Sequence, residues 1–208
     1  MPYTERLKLL FENPDNFEFR ELESILKDGT SKWVAWTSKS IYDKNGKLVE
    51  ILSVGLDITS LKKTEQKLAS EKALAQLYFD NAGVMLIVLD DSLRISKINK
   101  KGIKLLGYDE EELLGLDWCE NFLQKIDQKI IKKELQNVRN GKNEFNKNYI
   151  LKKDGEKKLI FWHNVPIYDE NGNFTGILSS GDDITEQNEA EKQLIKEKAI
   201  KTLKDQIF

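Results

Sequence analysis

The stretch from Asp28 to Trp36, Asp-Gly-Thr-Ser-Lys-Trp-Val-Ala-Trp, returns 126 positions later as Asp-Gly-Glu-Lys-Lys-Leu-Ile-Phe-Trp, from Asp154 to Trp162. The register then holds without a gap. Ile41 to Gly46 matches Ile167 to Gly172, and Ile51-Leu-Ser-Val-Gly-Leu-Asp-Ile-Thr59 matches Ile177-Leu-Ser-Ser-Gly-Asp-Asp-Ile-Thr185. The charged segment that follows keeps it too, with Glu65 and Leu68 against Glu191 and Leu194. Solenoid repeats recur every ~20–50 residues, so this period is that of a domain. The two copies are unequal: 27 residues precede Asp28, whereas Tyr78 to Lys153 all precede Asp154 in the second copy. The expectation is a chain that enters inside one domain, contains a second one whole, and breaks off in a helical pattern at Phe208, as a fragment of a longer protein would.

Each copy reads as three strands joined by tight turns. Glu18 to Leu26 and Glu144 to Leu151 carry alternating apolar residues, the period of a strand with one buried face. The Asp-Gly pairs at 28–29 and 154–155 are hairpin signals, and Asp-Glu-Asn-Gly at 169–172 makes the next turn. Lys158 to Tyr168 and Phe174 to Asp183 complete an antiparallel meander. In the complete copy, Val84 to Asp90 and Leu93 to Ile98 read as a hairpin. Asn99 is placed to cap a short helix, Lys100 to Leu106, that Gly107 ends. A second helix begins at Asp109, and a longer one spans Ile126 to Arg139. One five-stranded antiparallel sheet with helices on one face satisfies this order. Beyond each meander the period becomes helical, with Leu61, Leu68 and Ala75 seven residues apart and Leu194, Ile200 and Leu203 later.

Composition excludes several function classes. The 33 basic and 35 acidic side chains nearly cancel, so no basic field argues for nucleic acid. One cysteine, Cys119, permits no internal disulfide, and one histidine, His163, permits no histidine-based metal cluster. The single cysteine suits a reducing compartment, and the longest apolar run, Val84 to Leu89, is far too short to cross a bilayer. A cytoplasmic protein with no membrane span of its own is expected. There is no Gly-rich phosphate loop, no Ser-His-Asp set, and neither a kinase phosphoacceptor motif nor ATP-binding boxes, so no catalytic residue is assigned and the chain is not expected to be an enzyme.

Asp90-Asp-Ser-Leu-Arg-Ile-Ser-Lys-Ile-Asn99 followed by Leu106-Gly-Tyr-Asp-Glu-Glu-Glu-Leu-Leu-Gly115 resembles the first half of a PAS domain. Asp154-Gly155, Pro166 to Gly172 and Gly181-Asp-Asp-Ile-Thr185 resemble its C-terminal half, the PAC motif. The resemblance covers about Tyr78 to Thr185 in full, and Phe17 to Thr59 as a PAC half alone. It implies an α+β PAS fold at 78–185, an incomplete PAC half at 1–59, a helical linker at 60–77 and a signalling helix at 186–208. It also implies a sensory relay in a longer signalling protein, most often a two-component sensor histidine kinase, with diguanylate cyclases and related regulators as other hosts. The final Asp-Ile-Thr resembles the family's signal-exit motif, which assigns signal transmission to Asp57, Thr59, Asp183 and Thr185.

A small-molecule pocket in such a domain lies between the sheet and the short helices. The candidates to line it are Leu105, Trp118, Phe122, Ile130, Tyr149, Phe161 and Ile177 or their neighbours, which equally serve as ordinary core. No cofactor is expected. Haem-binding relatives take an axial histidine from the long helix, which here has none. Flavin-binding light sensors carry a reactive cysteine near the position of Cys119, but the spacing differs by one or two residues and the glutamine of their last strand is replaced by Gly181 or a neighbour. Three function classes follow: a ligand-sensing relay that dimerises through its flanking helices, a ligand-free dimerisation or interaction module, and a redox or light sensor.

Overall fold

A computed structural model describes residues 19–142 and 144–207. The expected start of the first strand at Glu18, the start of the PAC resemblance at Phe17, and Phe208 lie outside the described residues. The chain divides into two compact units, with the boundary between Leu74 and Ala75.

The first unit holds three strands, β1 (Phe19–Ile25), β2 (Ser31–Tyr42) and β3 (Leu48–Asp57), paired antiparallel in the order β1-β2-β3. Asp28 organises the first turn by accepting hydrogen bonds from the Thr30 backbone N–H at 2.9 Å and its hydroxyl at 2.6 Å. Gly29, at φ +83°, supplies the left-handed residue the turn requires. Trp36 pairs with Gly55 across β2 and β3, and a Cβ at Gly55 would stand 2.9 Å from the indole. The glycine lets the ring lie on the sheet. Helix α1 (Thr59–Asp80) follows and runs across the unit boundary with no buried residue of its own.

The second unit is built on five antiparallel strands: β4 (Met85–Asp90), β5 (Ile95–Ile98), β6 (Glu144–Leu151), β7 (Lys157–Tyr168) and β8 (Phe174–Asp183). Their order is β5-β4-β8-β7-β6, so the first hairpin of the domain inserts beside its last strand. Helices α2 (Lys100–Leu106), α3 (Glu110–Leu113), α4 (Trp118–Phe122) and α5 (Lys125–Arg139) connect β5 to β6 and cover one face. This is the fold class expected. α6 (Thr185–Ile207) leaves from β8.

Local chemistry sets these helices. Asn99 caps α2 by accepting from the Gly102 N–H at 2.9 Å, and Gly107 closes the helix at φ +77°. Asp109 and Glu112 form a reciprocal capping box on α3. On α5, Ile131, Leu135 and Val138 recur at helical spacing and are buried, while Ile126 and Ile130 face outward. Phe122 is fully buried, stacked on Trp118 at 4.8 Å and edge-on to Tyr108 at 5.7 Å. Trp118 in turn meets Trp162 edge to face at 5.4 Å, joining α4 to the sheet.

Candidate functional site

The inner face of the second sheet, under α4 and α5, is not uniformly apolar. Asn146 and Asn148 from β6, Asn164 from β7 and Ser179 from β8 point into the same space as Trp118, Trp162, Ile87, Leu89, Ile131 and Leu135. Sheet register explains the grouping. Asn146 pairs with Trp162, Asn148 with Ile160 and Asn164 with Ser179, and directly opposed residues share a face. The space they line, which opens to solvent, is about 10 Å³, room for about one water molecule. Asn146 donates to the Glu134 carboxylate on α5 at 2.6 Å, which leaves its Oδ1 buried with no partner.

Of the residues expected to line a pocket, Trp118 lines this cavity, while Phe122 and Ile177 are buried in the surrounding core. Leu105 packs against the core from α2, half-buried. Ile130, Tyr149 and Phe161 do not join them. Ile130 is 60% exposed, and Tyr149 and Phe161 lie on the opposite face of the sheet, each 37% exposed. Their immediate neighbours point inward instead: Ile131 on α5, Asn148 on β6 and Trp162 on β7 line the cavity, and Ile150 and Ile160 are buried in the core around it. Side chains alternate between faces along a strand, so a shift of one residue exchanges the faces. Reading hydrophobicity alone missed the three asparagines and Ser179 altogether. The signal available was the Asn146, Asn148 pair at strand spacing.

The residues expected to transmit a signal form one construction, built twice. In the second unit, Ile184 donates its backbone N–H to the Leu159 carbonyl at 2.9 Å, and the Leu159 N–H is accepted by Thr185 Oγ1 at 2.9 Å. The threonine hydroxyl therefore continues the β7–β8 ladder one step beyond the last strand residue, from the first residue of α6. That hydroxyl donates to Asp183 Oδ1 at 2.5 Å, and Asp183 also accepts the Thr185 N–H at 3.0 Å. Residues 126 positions earlier repeat the strand and N–H ties, although there the Thr59 hydroxyl turns to the Trp33 carbonyl at 3.5 Å. Ile58 donates to the Trp33 carbonyl at 2.9 Å, the Trp33 N–H reaches Thr59 Oγ1 at 3.0 Å, and Asp57 accepts the Thr59 N–H at 3.0 Å. Lys32 at 2.7 Å and then Thr59 hold the Asp57 carboxyl far below the usual carboxylate range. Sheet and departing helix are thus tied side chain to backbone, with Asp holding Thr and Thr holding the middle strand.

Cys119 is buried and does not line the cavity. Burial, and then the Asp117 charge, push its thiol up to about 11, so it stays protonated and unreactive at neutral pH. His163 lies on the outer sheet face, stacked on Phe145 at 4.2 Å. Among the described residues no cluster of three or more His, Cys, Asp or Glu could hold a metal ion.

Comparison with known proteins places this architecture. The sequence profile described as PAS domain matches residues 81–186, just over half of the chain. The chain belongs to the PAS domain family. A curated relative, the probable diguanylate cyclase DgcE of Escherichia coli strain K12, is 26% identical over 104 residues, half of this chain and 9% of that protein. Among solved structures, the PAS domain of a Colwellia psychrerythraea protein is 28% identical with a TM-score of 0.51, covering 57% of this chain and 98% of that one. The PAS domain of an HTR-like protein from Haloarcula marismortui is 24% identical with a TM-score of 0.53, covering 59% and 99%. A PAS domain is a sensory fold without catalytic machinery of its own, at home in signalling proteins. No helix among the described residues is long and apolar enough to cross a membrane.

Proposed function

We propose that this chain is a relay module of a longer signal-transduction protein, in which an event at the inner face of the PAS sheet is passed to α6 through Asp183 and Thr185. One observation carries the reading: the same Asp-Ile-Thr junction, with the same strand-to-hydroxyl hydrogen bond, launches a helix from both units. The hydroxyl bond makes helix orientation depend on strand position, which is what a two-state coupling element requires. The first unit is read as the C-terminal half of another PAS domain, on the strength of the 126-residue repeat and of the tryptophan-over-glycine pairs, Trp36 on Gly55 and Trp162 on Gly181. The output would be a histidine kinase, or a diguanylate cyclase as the match to DgcE suggests. The relay is the same in either.

Leu61 and Leu68 on α1, and Leu194 and Leu203 on α6, are all more than half exposed, which supports self-association through these helices into a dimer. The relay is tested by joining the full chain through α6 to a diguanylate cyclase or kinase output domain. Thr185→Val and Asp183→Ala are expected to shift output at least severalfold in folded protein. Output indifferent to both substitutions would sink the proposal.

A further inference from the structure

The two Asp-Ile-Thr junctions share a backbone plan but differ in what their lysine holds. In the first unit Lys32 Nζ lies 2.7 Å from Asp57 Oδ2, and the Thr59 hydroxyl reaches the Trp33 carbonyl at 3.5 Å. Lys158, 126 positions on, lies 3.9 Å from Asp183 Oδ2 but 2.9 Å from Glu156 Oε1, and the Thr185 hydroxyl donates to Asp183 Oδ1 at 2.5 Å. Only the shorter of the two Lys158 distances is that of a charge-assisted hydrogen bond. The sequence supplies the reason. Glu156 stands where the first unit has Thr30, whose hydroxyl is engaged by Asp28. Lys152, bonded to both Glu156 and Asp154, stands where the first unit has Leu26. Asp154, Lys152, Glu156, Lys158 and Asp183 thus alternate in charge from the β6–β7 turn to the strand end that launches α6. Glu156, Lys158 and Asp183 share a face of the sheet, because Asp183 opposes Ile160, two residues beyond Lys158. The Lys152 and Lys158 side chains are only 18% and 20% exposed, so both ammonium groups are held against protein rather than swept through solvent.

We infer that Glu156 is a positioning residue for a two-setting junction: it draws Lys158 off Asp183 and leaves Asp183 to clamp Thr185, whereas lysine on the aspartate releases the threonine hydroxyl to the strand carbonyl. This rests on the reading of Asp183 and Thr185 as the relay and adds the residues that set it. The second unit displays one setting and the first unit the other. Lys152 and then Lys158 hold the Glu156 carboxyl below its ordinary value, so its pull on Lys158 is fully present near neutral pH. Threonine has a single hydroxyl proton to donate. In the second unit that proton goes either to Asp183 or to the Leu159 carbonyl, the counterpart of Trp33. The β6–β7 turn thereby becomes a second input to the relay, separate from the inner sheet face. A partner charge that neutralises Glu156 or draws Lys152 away sends Lys158 to Asp183 and changes what holds the first residue of α6. Two discrete arrangements biased by a local charge are what a switching element requires.

The test installs the first unit's residue, as Glu156→Thr, in the full chain joined through α6 to an output domain, with and without Asp183→Ala. The expected result is a severalfold change of output that disappears in the Asp183→Ala background. A crystal structure of Glu156→Thr is expected to show Lys158 within hydrogen-bond distance of Asp183. Unchanged output, a change that persists without Asp183, or Lys158 unmoved in the crystal would each overturn the inference. Thr30→Glu is the reverse test and needs no output domain. Lys32 first, and then Thr59, hold the Asp57 carboxyl low. The new carboxylate is expected to draw Lys32 away and raise the pH at which Asp57 titrates by NMR, with the rise lost in a Lys32→Met background. An unmoved Asp57, or a rise that survives Lys32→Met as plain repulsion between carboxylates, would refute the competition for lysine. Output indifferent to Asp183→Ala and Thr185→Val alone would instead sink the relay, while Thr30→Glu and the crystal still decide the lysine competition.

Discussion

Replacing Thr185 by valine removes one hydroxyl and changes almost no volume. Its consequence is worked from a single hydrogen bond. The Leu159 N–H, in a residue 9% exposed, has Thr185 Oγ1 at 2.9 Å as its acceptor. Valine leaves that N–H unpaired where water has little access, at a cost of about 1–3 kcal/mol. For a unit of this size the loss corresponds to a fall of roughly 5–15 °C in its melting transition. Differential scanning calorimetry reads the fall, and hydrogen exchange at the Leu159 amide locates it. Thr185→Ser keeps the oxygen and is expected to restore most of both. The reasoning is refuted if valine leaves the melting temperature and the Leu159 protection unchanged, or if serine fails as badly as valine.

Further predictions rest on independent features. An alanine at Gly176 would place its Cβ 2.3 Å from the Leu89 carbonyl oxygen, which is backbone and cannot turn aside. Gly176→Ala is therefore expected to part β4 from β8 and to cost about 2 kcal/mol or more in denaturant unfolding. Cys119 is expected to resist a thiol reagent at pH 8 in the native protein and to react at once in denaturant. At the acid end, Asp28, Asp154 and Asp169 are lowered mainly by hydrogen bonds from Thr30, Glu156 and Asn173 in their own turns, and Glu112 by Lys153. Carboxyls with folded values below their unfolded ones of ~4 stabilise the fold above that pH and cease to do so as pH falls through the folded values. Melting temperature is thus expected to be flat with respect to these groups near neutrality and to fall below about pH 4, as a pH series of melts would show.

The sheet and its helices were legible because several local signals agreed. Asp-Gly turns, the Asn99 cap, the Gly107 stop and the helical spacing of α5 each pointed the same way, and the repeat marked the meander twice. The face of each strand was less legible. On β7, Leu159, Phe161 and His163 alternate with Ile160, Trp162 and Asn164, and both sets contain large apolar groups, so alternation does not decide which set is inside. The outer set is apolar because Phe145, Phe161 and His163 stack on one another there. On β6 the pattern misleads, since Phe145 and Tyr149 face out while Asn146 and Asn148 face in. Expectation follows hydrophobicity, and this site departs from it. Ile130 had a better alternative in sequence, because Ile131, Leu135 and Val138 keep the 4-then-3 spacing of a buried stripe. The strand-to-threonine hydrogen bond could not be read ahead, because it depends on the register of β7 against β8.

The coupling of the inner sheet face to α6 is tested most directly by hydrogen exchange in Asn164→Leu compared with the parent chain. Two amides report on the junction of the second unit: Leu159, bonded to Thr185, and Asn188, bonded to the Ile184 carbonyl at 2.9 Å in the first turn of α6. Trp33 and Lys62 occupy the same places in the first unit and serve as internal controls. The account predicts at least severalfold changes in exchange at Leu159 and Asn188, with Trp33 and Lys62 unmoved. Unchanged exchange at Leu159 and Asn188, in a variant whose cavity has demonstrably been altered, would contradict it.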